Sequence, residues 1–418
     1  MRSILQKREL RFVFVANVIS MLGSGMNSAA VTWFILQATH SEMALGTLVV
    51  LQTLPAVLML PFTGVIIDRE DRRHLVMALD GIRAVIILVV ALLAFYGRVH
   101  VWQLYAMNIL VSAGFWMFWP TITALIQELT PDSHFVHANT FLLAGVQGGW
   151  LMAGALVGFV YNHIGLGGVL LIDFATYLVS LACYFALRKG KHVVKPAEAS
   201  AMEAPHGSSV DRYWRELHEG LAYVRGNRYV LMLGLSWAFF IGAMLSQGVV
   251  TAPLSDRILH AGAVGYGWLN GGWGVGAFLS VLYVPQLIAK LGARRTVALS
   301  MALLSASIFT APASRVLALA VALYAVMGSA RGVGGVAISS SMMEHVPPHF
   351  MGRVQNCFYF IGTALQVVLA VGVGAVSHRI GLAWGFAIIA GVYAVAFLMA
   401  SVPLEAAPIP VPSEASAD

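Results

Sequence analysis

Two ionisable residues stand inside long apolar runs: Arg331, in Gly328-Ser-Ala-Arg331-Gly-Val-Gly334-Gly335, and Asp173, in Leu171-Ile-Asp173-Phe-Ala-Thr-Tyr177. Arginine does not give up its proton. At a bilayer centre it costs about 2.5–3.5 kcal/mol on insertion scales, so it must face protein, water or a ligand. A carboxyl in such a run can carry a proton or accept a structural hydrogen bond, and the position of Asp173 towards one end of its run leaves both open. Asp80 and Arg83, one helical turn apart, are spaced to pair with each other or with the adjoining loop. That loop is the third group, Gly64-Val-Ile-Ile-Asp68-Arg69-Glu70-Asp71-Arg72-Arg73, a charged decapeptide between two apolar stretches. Its chemistry is electrostatic contact at a water boundary, without a nucleophile or a general base.

The elements that position these groups are membrane spans. Of 418 residues, 59% are hydrophobic and 11% charged, with mean hydropathy +0.80, which excludes a soluble globular domain. Twelve apolar runs are expected at roughly 12–37, 44–67, 75–96, 101–126, 138–161, 166–187, 229–253, 263–289, 296–312, 316–342, 353–377 and 382–402. The net charge of +6 could suggest a nucleic-acid partner, but the Lys and Arg residues cluster between the runs. Twenty fall on the side of the termini and four on the other, with Arg331 inside a run, so both termini are expected in the cytoplasm. The first run is too long for a signal-peptide core. Cys183 and Cys357 read as buried thiols.

The loop string Gly64, Asp68, Arg69, Arg72 and Arg73 resembles the signature between spans 2 and 3 of the major facilitator superfamily of transporters, with Asp71 where the general pattern has Gly. Together with Ala78-Leu79-Asp80-Gly81-Ile82-Arg83 it is similar to the branch holding bacterial macrolide-efflux pumps and siderophore exporters. The chain also repeats itself. Glu128-Leu-Thr-Pro131 recurs as Glu344-His-Val-Pro347 at an offset of 216, and Lys290-Leu-Gly-Ala-Arg294-Arg295 is a worn copy of the first loop. The expected fold is an all-α membrane protein of twelve transmembrane helices in two pseudo-symmetric six-helix bundles. The expected division is a first bundle over 1–189, a linker with an amphipathic helix over 190–228, a second bundle over 229–402 and a disordered tail over 403–418. Trp214, Leu217, Leu221 and Val224 share one face of that helix, which lies either on the membrane or on the protein's own end.

The resemblance implies a gating role for the loop Asp68 against span 11 near Arg353. Glu128 is placed for Arg72 or Arg73, and Glu344 for Arg294 or Arg295; solvated surface charge is the plainer alternative for all of them. Span 10 lines the cavity in this superfamily, so Arg331 is the first candidate for substrate or coupling contact. The alternative is an arginine buried against a carbonyl or acid to hold a broken helix. Asp173, Asn108 and Trp119, beside the helix-bending Pro120, complete the candidate site. Span 4 lacks the Arg, and span 5 the Gly-Pro pair, of many drug/proton antiporters. Gly145, Gly149, Gly154 and Gly158 read instead as a helix-packing face.

No enzyme is expected. No nucleophile–base set or phosphate-binding loop occurs, no cofactor is called for, and His134-x-x-His137 lacks the further ligands of a metal site. The expected function is export of an amphiphilic organic molecule by a secondary transporter of the bacterial inner membrane. It would act as a monomer driven by a proton or sodium gradient. Alternatives are a lipid flippase, an uptake symporter, or a non-transporting receptor or scaffold.

Overall fold

The computed structural model describes residues 8–130, 135–187 and 209–402, with the backbone alone at 61–65, 68, 69, 127, 128, 135–144 and 348–350, among others. The described chain is helical, because a backbone in hydrocarbon must satisfy its own hydrogen bonds. The first six helices are α1 (Arg8–Thr39), α2 (Glu42–Arg69), α3 (Arg72–Phe95), α4 (Val101–Leu129), α5 (135–164) and α6 (166–185). Gly165, at φ 63°, makes the turn that parts α5 from α6, a backbone state open to glycine and costly to other residues. Helix α7 (Ser209–Gly226) follows. The second half runs through α8 (Arg228–Ser246), α9 (Gly248–Pro253) with a π turn over Leu254–Ile258, α10 (Gly262–Ser280), α11 (Val284–Leu291), α12 (Ala293–Thr310), α13 (Leu317–His345), α14 (Pro348–Arg379) and α15 (Leu382–Ser401).

Nine helices among the described residues are long and apolar enough to span a membrane, and α10 with α11, bent by 61°, makes a tenth. The turn at Gly165 divides one of the nine, and α2 adds another. The result is twelve crossings, so α1 begins and α15 ends at one face, called proximal here; the other face is distal.

Helix α3 shows how sequence sets orientation. Val76, Asp80, Arg83, Ala84, Ile87, Val90 and Ala91 are buried, whereas Ile82, Val85, Val89 and Leu92 are exposed on the opposite stripe, where lipid belongs. Asp71 begins this helix. Its carboxylate accepts from the backbone N–H of Arg73 at 2.9 Å and of His74 at 3.1 Å. The departure from the signature glycine is thus an N-cap, a feature worth about 1 kcal/mol.

The halves meet along α2 against α14 and α5 against α10. Small residues allow the approach. A Cβ on Gly374 would stand 2.9 Å from the Glu42 carbonyl, and Gly154 and Gly158 face Asn270 and Ala263. Gly145 and Gly149 instead pack on Phe14, Val18 and Met21 of α1, so the glycine stripe of α5 serves two different neighbours. Helix α7 is docked on the proximal ends of α14 and α2, with Val224 buried and Glu219 2.9 Å from Arg353. Of the apolar face read from the sequence, Val224 meets the protein, while the side chains of Trp214 and Leu217 lie outside the described residues.

Candidate functional site

At the distal end the two halves are latched by charge. Glu42, the first residue of α2, is fully buried. The Arg257 guanidinium reaches its Oε1 at 2.5 Å and donates a second bond to the His40 carbonyl at 2.6 Å. His378, at the distal end of α14, stands 3.5 Å from Oε2. Alongside, Gln37 donates to Asp256 at 3.1 Å, and Trp33 stacks on Tyr266 with centroids 5.9 Å apart. Every one of these contacts crosses between the halves. Sequence alone singles out none of these pairings; only the meeting of α1 and α2 with the ends of α9 and α14 reveals them.

Deeper in, Gln366 donates to Thr53 at 2.8 Å across the α2–α14 seam. Gln52 donates to Asn108 at 2.8 Å, and Trp116 meets Tyr359 of the second half edge to face at 6.0 Å. Asn108 therefore sits in a polar layer beside the interface. Trp119 does not: it packs on the first half's own apolar cluster with Phe118 and Ile122. Trp116, one helical turn earlier and about 60° round the helix, is the aromatic that reaches across to Tyr359.

Inside the first half lies a buried polar cluster. The Arg83 guanidinium pairs with Asp80 and lies over the rings of Phe118 at 4.6 Å and Tyr177 at 4.8 Å. Ser180 donates to the other Asp80 oxygen at 2.6 Å, while Arg83 Nη1 has no hydrogen-bond partner among the described residues. Asp173, fully buried, accepts from the Asn27 amide at 2.7 Å, and Thr176 donates to its backbone carbonyl at 2.7 Å. Asp173 and Arg331 thus belong to different halves and do not form one site.

Arg331 sits at the centre of α13, fourteen residues from each end. Its Nε donates to Met244 Sδ at 2.9 Å, and its guanidinium carbon lies 4.7 Å above the centre of the Trp273 ring. Gly328 and Gly332 bring α13 against α10 at Trp273, Ala277 and Ser280, which sets that stacking.

At the proximal end the loop arginines meet carbonyls. Arg73 donates to the Tyr184 and Phe185 carbonyls, both at 2.8 Å, and Arg72 to that of Ala124 at 3.4 Å. Arg294 repeats the arrangement, donating to the Ala400 carbonyl at 3.0 Å, the Ser401 carbonyl at 2.9 Å and the Val402 carbonyl. Four C-terminal carbonyls of any helix lack partners within it, and a cation there also meets the negative end of the helix dipole. Glu344 and Arg295 are exposed, and no ion pair joins Glu344 to an arginine among the described residues. The side chains of Gly64's loop partners Asp68 and Arg69, and that of Glu128, lie outside the described residues, as does His134. Among the described residues no group of His, Cys, Asp or Glu could hold a metal ion.

Comparison with known proteins places this architecture. Residues 13–257 match the Major Facilitator Superfamily. The MFS-type transporter YkuC of Bacillus subtilis (strain 168) is 25% identical over 375 residues, 84% of this chain and 82% of its own. Macrolide efflux protein A of Streptococcus pyogenes is 21% identical over 373 residues, 86% of each chain. Among solved structures, the nucleoside transporter NupG superposes with TM-score 0.72 at 14% identity, covering 94% of this chain and 98% of that one. An inward-facing bacterial homologue of the iron transporter ferroportin gives 0.68 at 16%, covering 94% and 99%. With the family profile covering more than half of its length, and twelve helices in two packed sets, this chain belongs to the Major Facilitator Superfamily.

Proposed function

We propose that this transporter exports an amphiphilic organic molecule, macrolide- or siderophore-like in its mix of apolar bulk and polar groups, by alternating access. The observation that carries the reading is the distal latch, whose every contact joins one half to the other. Such a seal exists when the halves lean together and is lost when they part, which is what alternating access requires. The kinship with macrolide efflux proteins over most of their length supports the direction and the cargo class. The polar layer at Asn108 and the central Arg331 are the residues we assign to the cargo path. We assign Asp68 to the proximal gate on the loop signature, and Arg353 to the same gate, where it pairs with Glu219 of α7. Asp173 takes a supporting role within the first half. A proton or sodium gradient would drive the cycle of a monomeric antiporter in the bacterial cytoplasmic membrane.

Everted vesicles carrying the protein should accumulate a radiolabelled macrolide or siderophore when an inward-acid gradient is imposed, and vesicles lacking it should not. Accumulation in right-side-out vesicles alone would favour uptake, and movement only of a labelled phospholipid would favour a flippase. Orientation is checked separately. Single cysteines placed at Ser3, Ser208 and Ser416 are expected to resist a membrane-impermeant maleimide in intact cells and to react after permeabilisation. Reaction of any of them from outside would reverse the proposed topology.

A further inference from the structure

We infer that Arg331 is an anion site: the cargo carries a negatively charged group that docks on this guanidinium at mid-membrane. The inference rests on the transport reading above and adds the charge of the substrate. Residues 229–402 contain two carboxylates, Asp256 and Glu344. Asp256 is engaged with Gln37 at the distal end, and Glu344 is exposed at the proximal end. Arg331 lies about 21 Å along the helix from either terminus of α13, so neither acid compensates it.

The contacts that Arg331 does make hold it in place without neutralising it. Met244 sulfur is a weak acceptor that engages Nε alone. The Trp273 face attracts the cation by its quadrupole and fixes the plane of the guanidinium. Both Nη groups are left without a hydrogen bond among the described residues. A planar fork with two open nitrogens matches the paired oxygens of a carboxylate, sulfonate or phosphate.

Direction matters as much as charge. On α13 the exposed stripe runs through Leu319, Val326 and Val336. At 100° per residue Arg331 falls on the face opposite that stripe. It is nonetheless partly accessible, so the space it meets lies among the helices and not in the lipid. The contrast with Arg83 is instructive, since that arginine also stacks on aromatic rings but has Asp80 against it and is fully buried. One arginine is complete within the protein, and the other lacks an anion.

The test uses two probes of nearly the same shape. 1-Anilinonaphthalene-8-sulfonate is an amphiphilic anion, and N-phenyl-1-naphthylamine is the same ring system without the sulfonate. Purified protein in phosphatidylcholine nanodiscs is titrated with each, against empty nanodiscs, for wild type, Arg331→Lys, Arg331→Gln and Arg331→Met. The sulfonate should bind wild type saturably, weaken about tenfold or more in Arg331→Gln and Arg331→Met, and keep part of its affinity in Arg331→Lys. The neutral probe should bind all four within about twofold. Adding phosphatidylglycerol separates the sources of the anion: displacement of the sulfonate from wild type, but not from Arg331→Gln, would identify a lipid as the anionic cargo. Unchanged sulfonate affinity in Arg331→Gln, a parallel loss of both probes, or no saturable binding to wild type would overturn the assignment. So would a large drop in melting temperature in all three variants without probe, which would make Arg331 a packing residue. Because binding is read without transport, failure of this site and failure of the export reading remain distinguishable.

Discussion

Glu42→Gln should open the distal end. The carboxylate is fully buried, with the Arg257 guanidinium at 2.5 Å and His378 at 3.5 Å, both from the other half. The amide is isosteric but uncharged, so the two halves lose a buried charge contact at this face while the packing persists. Arg257 is itself partly exposed, so solvent tempers the loss; even about 1.4 kcal/mol is a tenfold change in the ratio of two conformers. Spin labels at Arg98 and Arg315, exposed in distal loops of opposite halves, would report it by pulsed dipolar spectroscopy after Cys183 and Cys357 are replaced. The expected result is a longer, newly populated distance in Glu42→Gln and in Arg257→Gln. The double variant should look like either single one, since both remove the same interaction. A distribution identical to that of the parent in all three would show that the latch contributes nothing to closure.

Asp80→Asn should be the most damaging single substitution to folding. It would strand Arg83, fully buried, with only the Phe118 and Tyr177 rings and a bond from Nε to the Leu79 carbonyl. Breaking a buried pair from one side costs about 3–5 kcal/mol, chiefly because the remaining charge is left unmatched. Removing both charges, as Asp80→Asn with Arg83→Met, should recover much of the melting temperature lost by the single change. Asp173→Asn supplies the control: its partners are the Asn27 amide and the Thr176 hydroxyl, and a neutral side chain of equal size can keep much of that bonding. The order expected in a fluorescence melting series is wild type, then Asp173→Asn, then the double variant, then Asp80→Asn. A double variant no better than Asp80→Asn would mean that Arg83 stabilises through its stacking and not through charge pairing.

What can be read from the chain in advance follows the range of the interactions involved. Hydropathy runs, the loop from Gly64 to Arg73 and the asymmetry of basic residues are local or additive signals, and they are enough to set the span count and the family. Asp80 with Arg83 is an i,i+3 pair and is equally legible. The amphipathic face of α7 is visible, but not what it rests on, because membrane and protein surface ask for the same pattern. Glu42 and Arg257 are 215 positions apart, and nothing near either one announces the other. The loop arginines illustrate a different blindness. Arg73 and Arg294 donate to backbone carbonyls, which every sequence possesses and no residue type advertises. Trp119 stands out because Pro120 follows it, whereas facing direction favours Trp116, and a helical turn cannot be oriented without its neighbours.

The two guanidinium caps have a bearing on how the chain is made. Arg73 is 111 and 112 positions ahead of the carbonyls it binds, and Arg294 is 106 to 108 ahead of its own. In each case the arginine opens the third crossing of its set and waits for the sixth. The first of these caps needs no residue beyond 185, so it can form during synthesis without any crossing of the second half. Each half therefore carries its own closing stitch, and the second can be drawn against the first as a finished piece.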